Sequence, residues 1–126
     1  MHIPDQLKYS ATHQWARLES DGTILVGLTD FAQQELGDVV FVEEPKLWDK
    51  LAMGEQICIV ESITTATEVY APIAGEVIAI NARLEEHPEL INDDPYDMAW
   101  ICRIKPKDMT QLQHLMNAEA YRLHII

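Results

Sequence analysis

The side chains that could move protons or hold a metal are five histidines and twenty-one carboxylates, and their spacing supports neither role strongly. His13 stands between Thr12 and Gln14 and next but one to Trp15, at the start of an apolar run. An imidazole there reads as a hydrogen-bonded structural group before a general base. His87 lies among Glu85, Glu86 and Asp93, which are metal-ligating types, but no second nitrogen or sulfur ligand has suitable spacing. His114 and His124 fall in the tail and read as surface residues. Carboxylate pairs are expected by chance at this acid content and mark no acid–base site. Cys58 and Cys102 sit in the alternating runs Ile57-Cys58-Ile59 and Trp100-Ile101-Cys102, where a small hydrophobe is expected. No C-x-x-C, G-x-S-x-G, H-E-x-x-H, P-loop or dinucleotide fingerprint is present. A free-standing enzyme is therefore the least supported class.

The segment Ile59 to Pro72 carries more information. Apolar strands flank a polar stretch, Glu61 to Glu68, which reads as an exposed hairpin tip. Thr64 and Thr65 at its centre fit an extended turn better than a tight Asn-Gly one.

The elements that would position these residues are mainly β. Trp15–Leu18 and Thr23–Leu28 flank Asp21-Gly22, a hairpin signal. A short helix follows, capped by Thr29 or Asp30, with Phe31, Ala32 and Leu36 on one face and Gly37 past its end. Glycine, an acid and an apolar strand then recur at Gly37–Val42, Gly54–Val60 and Gly75–Ile80, as two similar β-halves packed face to face would produce. Residues 83–97 read as an acidic loop with two prolines, and 99–104 as a strand. In the tail, Asp108 caps a predicted helix bearing Leu112, Leu115 and Met116, and Asn117 starts another.

Length and charge bound the rest. The chain has 126 residues, about one domain's worth. Its formal charge of −12 disfavours phosphate backbones and anionic membrane surfaces, so neither a nucleic acid nor a membrane is expected as a partner. The N-terminus lacks a signal-peptide pattern, and no apolar run approaches the roughly 20 residues of a membrane span. The expected location is cytoplasmic.

Dispersed motifs then give a resemblance. Lys8-Tyr9-Ser10, His13-Gln14-Trp15, Gly27–Gln33, Leu36–Glu43, Val60-Glu61-Ser62, Tyr70–Val77, Pro88–Asn92, Asp94-Pro95-Tyr96 and Ala118–Tyr121 together resemble the H proteins of the glycine cleavage system over nearly the whole chain. The resemblance implies a single domain over 1–126, a lipoyl/biotinyl-type barrel-sandwich hybrid of two antiparallel sheets with a short helix near residue 30 and a C-terminal helix. It implies a carrier rather than a catalyst, with lipoate on a hairpin lysine. The implied partners are glycine decarboxylase, aminomethyltransferase, dihydrolipoamide dehydrogenase and a lipoate ligase. The implied arm-docking surface is Thr12, His13, Gln14, Glu35, Glu61, Ser62, Glu68 and Tyr70, with no metal.

Three departures qualify what the resemblance implies. The family's Glu-Ser-Val-Lys-Ala is Glu61-Ser62-Ile63-Thr64-Thr65 here, so the lipoyl-lysine position is Thr64. A threonine has neither the amine nor the stem for a lipoyl amide, and this chain is expected to carry none. The family's His-Glu-Trp is His13-Gln14-Trp15, which removes one of two acids, the other being Glu68, implied to hold an aminomethyl ammonium; a charge-assisted bond of this kind contributes about 1.5–3 kcal/mol. Asp97-Met98-Ala99 replaces a glycine-rich stretch, and Trp48 replaces a turn glycine. The chain is also similar in plan to lipoate-binding proteins that work with heterodisulfide-reductase-like complexes in sulfur oxidation, whose uncharged cargo suits a neutral Gln14. A non-lipoylated interaction module is the remaining alternative.

Overall fold

The computed structural model describes residues 1–126. Its strands are β1 (Lys8–Tyr9), β2 (Gln14–Leu18), β3 (Ile24–Leu28), β4 (Val39–Val42), β5 (Lys50–Leu51), β6 (Gln56–Ser62), β7 (Ala66–Tyr70), β8 (Gly75–Ile80) and β9 (Cys102–Pro106). The helices are α1 (Asp30–Leu36), α2 (Arg83–Glu86), α3 (Leu90–Asp93) and α4 (Ala118–His124). All strand pairs are antiparallel and form two sheets, one of six strands in the order β1-β2-β3-β9-β8-β5 and one of three in the order β4-β6-β7. This is the mainly β, two-sheet architecture the sequence predicts.

Burial explains the strand patterns. Val26, Val77 and Ile104 of the larger sheet meet Cys58, Val60 and Val69 of the smaller in one core. The larger sheet's other face puts Trp15 and Leu25 under Ile3, Leu7, Ala118 and Tyr121, so the N-terminal segment and α4 form a second layer. β3 is covered on both faces, which is why Ile24–Leu28 is apolar throughout rather than alternating. The β2–β3 turn is fixed by Asp21, whose Oδ1 accepts from the Thr23 amide, and by Gly22 at φ 85°. Thr29 caps α1 by accepting from the Ala32 amide at 3.2 Å.

Several elements differ from the sequence expectation. Residues 83–97 are not a plain loop: they contain α2 and α3, single turns anchored by buried Leu84 and Ile91. The strand expected from Ala99 begins only at Cys102, although Ala99 and Ile101 are buried. The helix expected after Asp108 is a 3-10 helix, Met109–His114, with Asp108 accepting from the Thr110 amide. Asn117 caps α4 as expected.

The glycine–acid–strand repeat falls on both sheets, with β4 in one and β8 in the other. Its glycines nevertheless serve different ends. Gly37, at φ 82°, ends α1 with its amide on the Gln33 carbonyl. A Cβ on Gly75 would fall on the Lys105 carbonyl oxygen and Ile104 Cγ2, so this glycine permits the close β8–β9 approach. Trp48, which the resemblance implies stands in place of a turn glycine, adopts φ 71°. No helix is long and apolar enough to cross a membrane.

Candidate functional site

The β6–β7 hairpin is narrower at its end than Glu61–Glu68. The ladder runs on to the Glu61–Ala66 pair, and the Ser62 amide donates to the Thr65 carbonyl at 2.8 Å. Polar residues sit within the ladder because pairing is a backbone property and the outer face of this sheet meets solvent. Buried Ser62 shapes the tip: its Oγ accepts from the Thr64 amide at 3.3 Å and the Thr65 amide at 3.1 Å. The Ile63 amide donates to the Asp38 carbonyl, tying the tip to the residue before β4. What the tip leaves for solvent is Ile63, 67% exposed, with Thr64 and Thr65.

Beside the tip runs a groove of about 440 Å³. Leu28, Phe31, Ala32 and Leu36, from β3 and α1, make its apolar part. Thr65, Ala66 and Thr67 supply the hairpin wall, and Thr12, His13 and Glu35 add polar groups. Thr12, His13 and Glu35 of the expected surface are thus brought together.

His13 is held firmly. It adopts φ 74°, its carbonyl accepts from the Thr29 amide, and its Nδ1 lies 2.8 Å from the Tyr121 hydroxyl. That hydroxyl lies 2.8 Å from Thr29 Oγ1, so the α1 cap, α4 and His13 share one hydrogen-bond chain. Burial holds the His13 pKa below the ordinary imidazole value; the neighbouring His124 charge acts in the same direction, and Glu35 opposes them. Tyr121 is a groove support that sequence reasoning missed, since 108 residues separate it from His13.

Gln14 does not reach the groove surface. It is 0% exposed, with Oε1 accepting from the Ser10 and Thr12 hydroxyls and Nε2 donating to the Thr12 carbonyl at 2.9 Å. It supports the Ser10–Thr12 segment from beneath. Glu61 and Glu68 are also apart from the groove: their register opposite Phe41 and Ile59 puts them on the outer face of the three-stranded sheet. Tyr70 donates to Glu68 and, with Thr12, borders a separate depression of about 550 Å³ towards Met116 and His124.

The chemistry available is limited. Cys58 and Cys102 are free and buried, and burial pushes the Cys58 thiol up to about 12 and Cys102 higher still, so neither is a thiolate nucleophile. No three His, Cys, Asp or Glu side chains converge to hold a metal, and His87 pairs with Glu89 in solvent. The five lysines (Lys8, Lys46, Lys50, Lys105 and Lys107) all lie outside the hairpin. The groove can bind and position, with the His13 imidazole and the Glu35 carboxylate among its polar groups.

Residues 7–125 match the family model described as glycine cleavage H-protein. The chain belongs to that family. It is 53% identical over 120 residues to the glycine cleavage system H protein of Psychrobacter cryohalolentis, covering 95% of each chain. It is 50% identical over 122 residues to that of Thermus thermophilus, covering 97% of this chain and 94% of the relative. A solved structure of an H protein from Mycobacterium marinum superposes with a TM-score of 0.89 at 30% identity, covering 98% of both chains. That H-protein likeness gives the narrow hairpin and its groove a frame, since members of the family carry lipoate on a lysine.

Proposed function

We propose that this protein is an H-protein-family docking protein of the cytoplasm that does not carry lipoate and is not itself an enzyme. Thr64 at the exposed end of an otherwise family-like hairpin carries the reading. A lipoyl amide needs a primary amine on a long stem, and neither Thr64 nor Thr65 offers one. The residues at this position therefore do not fit the group, and no transfer step is assigned to the chain. What it retains is the scaffold, the groove and a strongly acidic surface, which speeds encounter with basic partner faces. Its partners are those of the carrier: glycine decarboxylase, aminomethyltransferase and dihydrolipoamide dehydrogenase. The glycine system is preferred to sulfur oxidation because the family model and the named relatives are glycine cleavage H proteins.

Intact-mass spectrometry after co-expression with a lipoate ligase tests the reading. The wild-type chain keeps its unmodified mass, and Thr64→Lys gains a lipoyl group. A lipoyl increment on the wild-type chain refutes the proposal. The docking half is tested by titrating the unmodified chain into glycine decarboxylase, aminomethyltransferase and dihydrolipoamide dehydrogenase: it binds at least one and alters its turnover.

A further inference from the structure

At the edge of the six-stranded sheet far from the groove, the β4–β5 connection holds Trp48 in a conformation L residues rarely adopt, φ 71°. The strap is rigid: the Trp48 amide donates to the Val77 carbonyl at 2.7 Å, and the Val77 amide returns a bond to the Asp49 carbonyl at 2.9 Å. Burial does not compensate the strained residue, because Trp48 is 61% exposed and its neighbour Leu47 is 43% exposed. A strained backbone that presents a large apolar ring to water points to a role outside the isolated chain.

Its surroundings define the partner's chemistry. Lys50 and Lys105 flank Glu76 in register on adjacent strands, and Lys46 lies two residues before Trp48. No lysine of the chain lies within 4 Å of a carboxylate, so these ammonium groups are unpaired. Three of the chain's five lysines lie on this loop and the strands beside it, among the carboxylates Glu43, Glu44, Asp49 and Glu76. Asp49 and Glu76 are interleaved with the lysines. A uniformly anionic bilayer would repel them, whereas a protein surface can match such a pattern.

We propose that the β4–β5 loop is a second docking surface, on which the Trp48 indole enters an apolar pocket of a partner protein edged by carboxylates that face Lys46, Lys50 and Lys105. The inference rests on the reading that the chain docks on the glycine cleavage proteins.

Calorimetric titration of the wild-type chain against purified glycine decarboxylase, aminomethyltransferase and dihydrolipoamide dehydrogenase of the source organism tests it. Trp48→Gly, which suits the left-handed backbone, weakens binding to one of them by about tenfold or more. The variant melts no lower than the wild type. Lys50→Gln combined with Lys105→Gln weakens the same complex, and tryptophan emission shifts to the blue on binding for the wild type only. Trp48→Gly binding within about twofold of wild type overturns this inference and leaves the docking reading intact. A wild-type chain that binds none of the three refutes both. Trp48-dependent binding to phosphatidylserine vesicles, with protein binding unaffected by Trp48→Gly, overturns the choice of a protein partner.

Discussion

Gln14→Glu introduces an acid at a position that is fully buried here, and the structure sets the consequence. The two hydroxyls of Ser10 and Thr12 that donate to Oε1 would serve a carboxylate equally well. The other oxygen would replace Nε2 at 2.9 Å from the Thr12 carbonyl, turning a hydrogen bond into a contact between two acceptors. Losing that bond and leaving a buried charged acceptor facing it costs about 2–3 kcal/mol at neutral pH. Protonation removes the penalty, because a neutral carboxyl can donate to the Thr12 carbonyl as the amide does. The introduced acid therefore titrates about 1.5–2 units above its unfolded value of roughly 4.3. For an acid whose folded pKa is raised, the variant matches wild type below the unfolded pKa. It loses stability as pH rises towards the folded pKa, near 6. Urea denaturation of both proteins at pH 4.5 and 7.5 checks this: the difference is within about 1 kcal/mol at the lower pH and reaches about 2–3 kcal/mol at the higher. A penalty equal at both pH values, or none at pH 7.5, refutes the account of Gln14 as a neutral internal brace.

Two further outcomes follow from the same geometry. His13→Asn keeps a residue that tolerates φ 74° but removes the titration; because burial lowers the His13 pKa, wild type loses stability relative to the variant as pH falls from about 7 towards 5, and melting temperatures at the two ends check the sign. Gly75→Ala forces a methyl group onto the Lys105 carbonyl and Ile104 Cγ2, so β8 and β9 must separate; the cost is about 3 kcal/mol, and an unchanged urea midpoint would refute it.

Much of the fold is legible because local signals and tertiary packing agree. Asp21-Gly22, Thr29 and Gly37 make the turn and caps their types predict, and the strands fall where apolar residues alternate or run on. The acidic segment misleads because α2 and α3 are single turns whose core contacts come from few residues, Leu84, Leu90 and Ile91, amid residues that face solvent. The hairpin reads too wide because polar side chains on an outward face do not interrupt a ladder. At the site, Thr12, His13, Glu35 and the tip follow from the family pattern. Glu61 and Glu68 are displaced to the outer face by the period of two along each strand, which sequence similarity does not express. The Tyr121–His13 contact has no local trace.

If, as proposed, Thr64 takes the place of the family's lysine, Ser62 explains why the fold is unharmed. The tip's backbone is satisfied by the Ser62 hydroxyl and by the Ser62–Thr65 and Ile63–Asp38 bonds. The Thr64 side chain adds only a long 3.4 Å contact with Ser62 Oγ. A substitution at such a surface position changes stability by roughly 0.5 kcal/mol or less, so the residue at 64 is decided by chemistry and not by folding. Thr64→Lys therefore tests the presence of an amine on an unchanged scaffold. The reverse also holds: the groove is built by β3, α1 and the 10–14 turn, and its shape does not depend on an arm. Carrying and docking are thus separate properties of this fold, and a chain can lose the first while keeping the surfaces that serve the second.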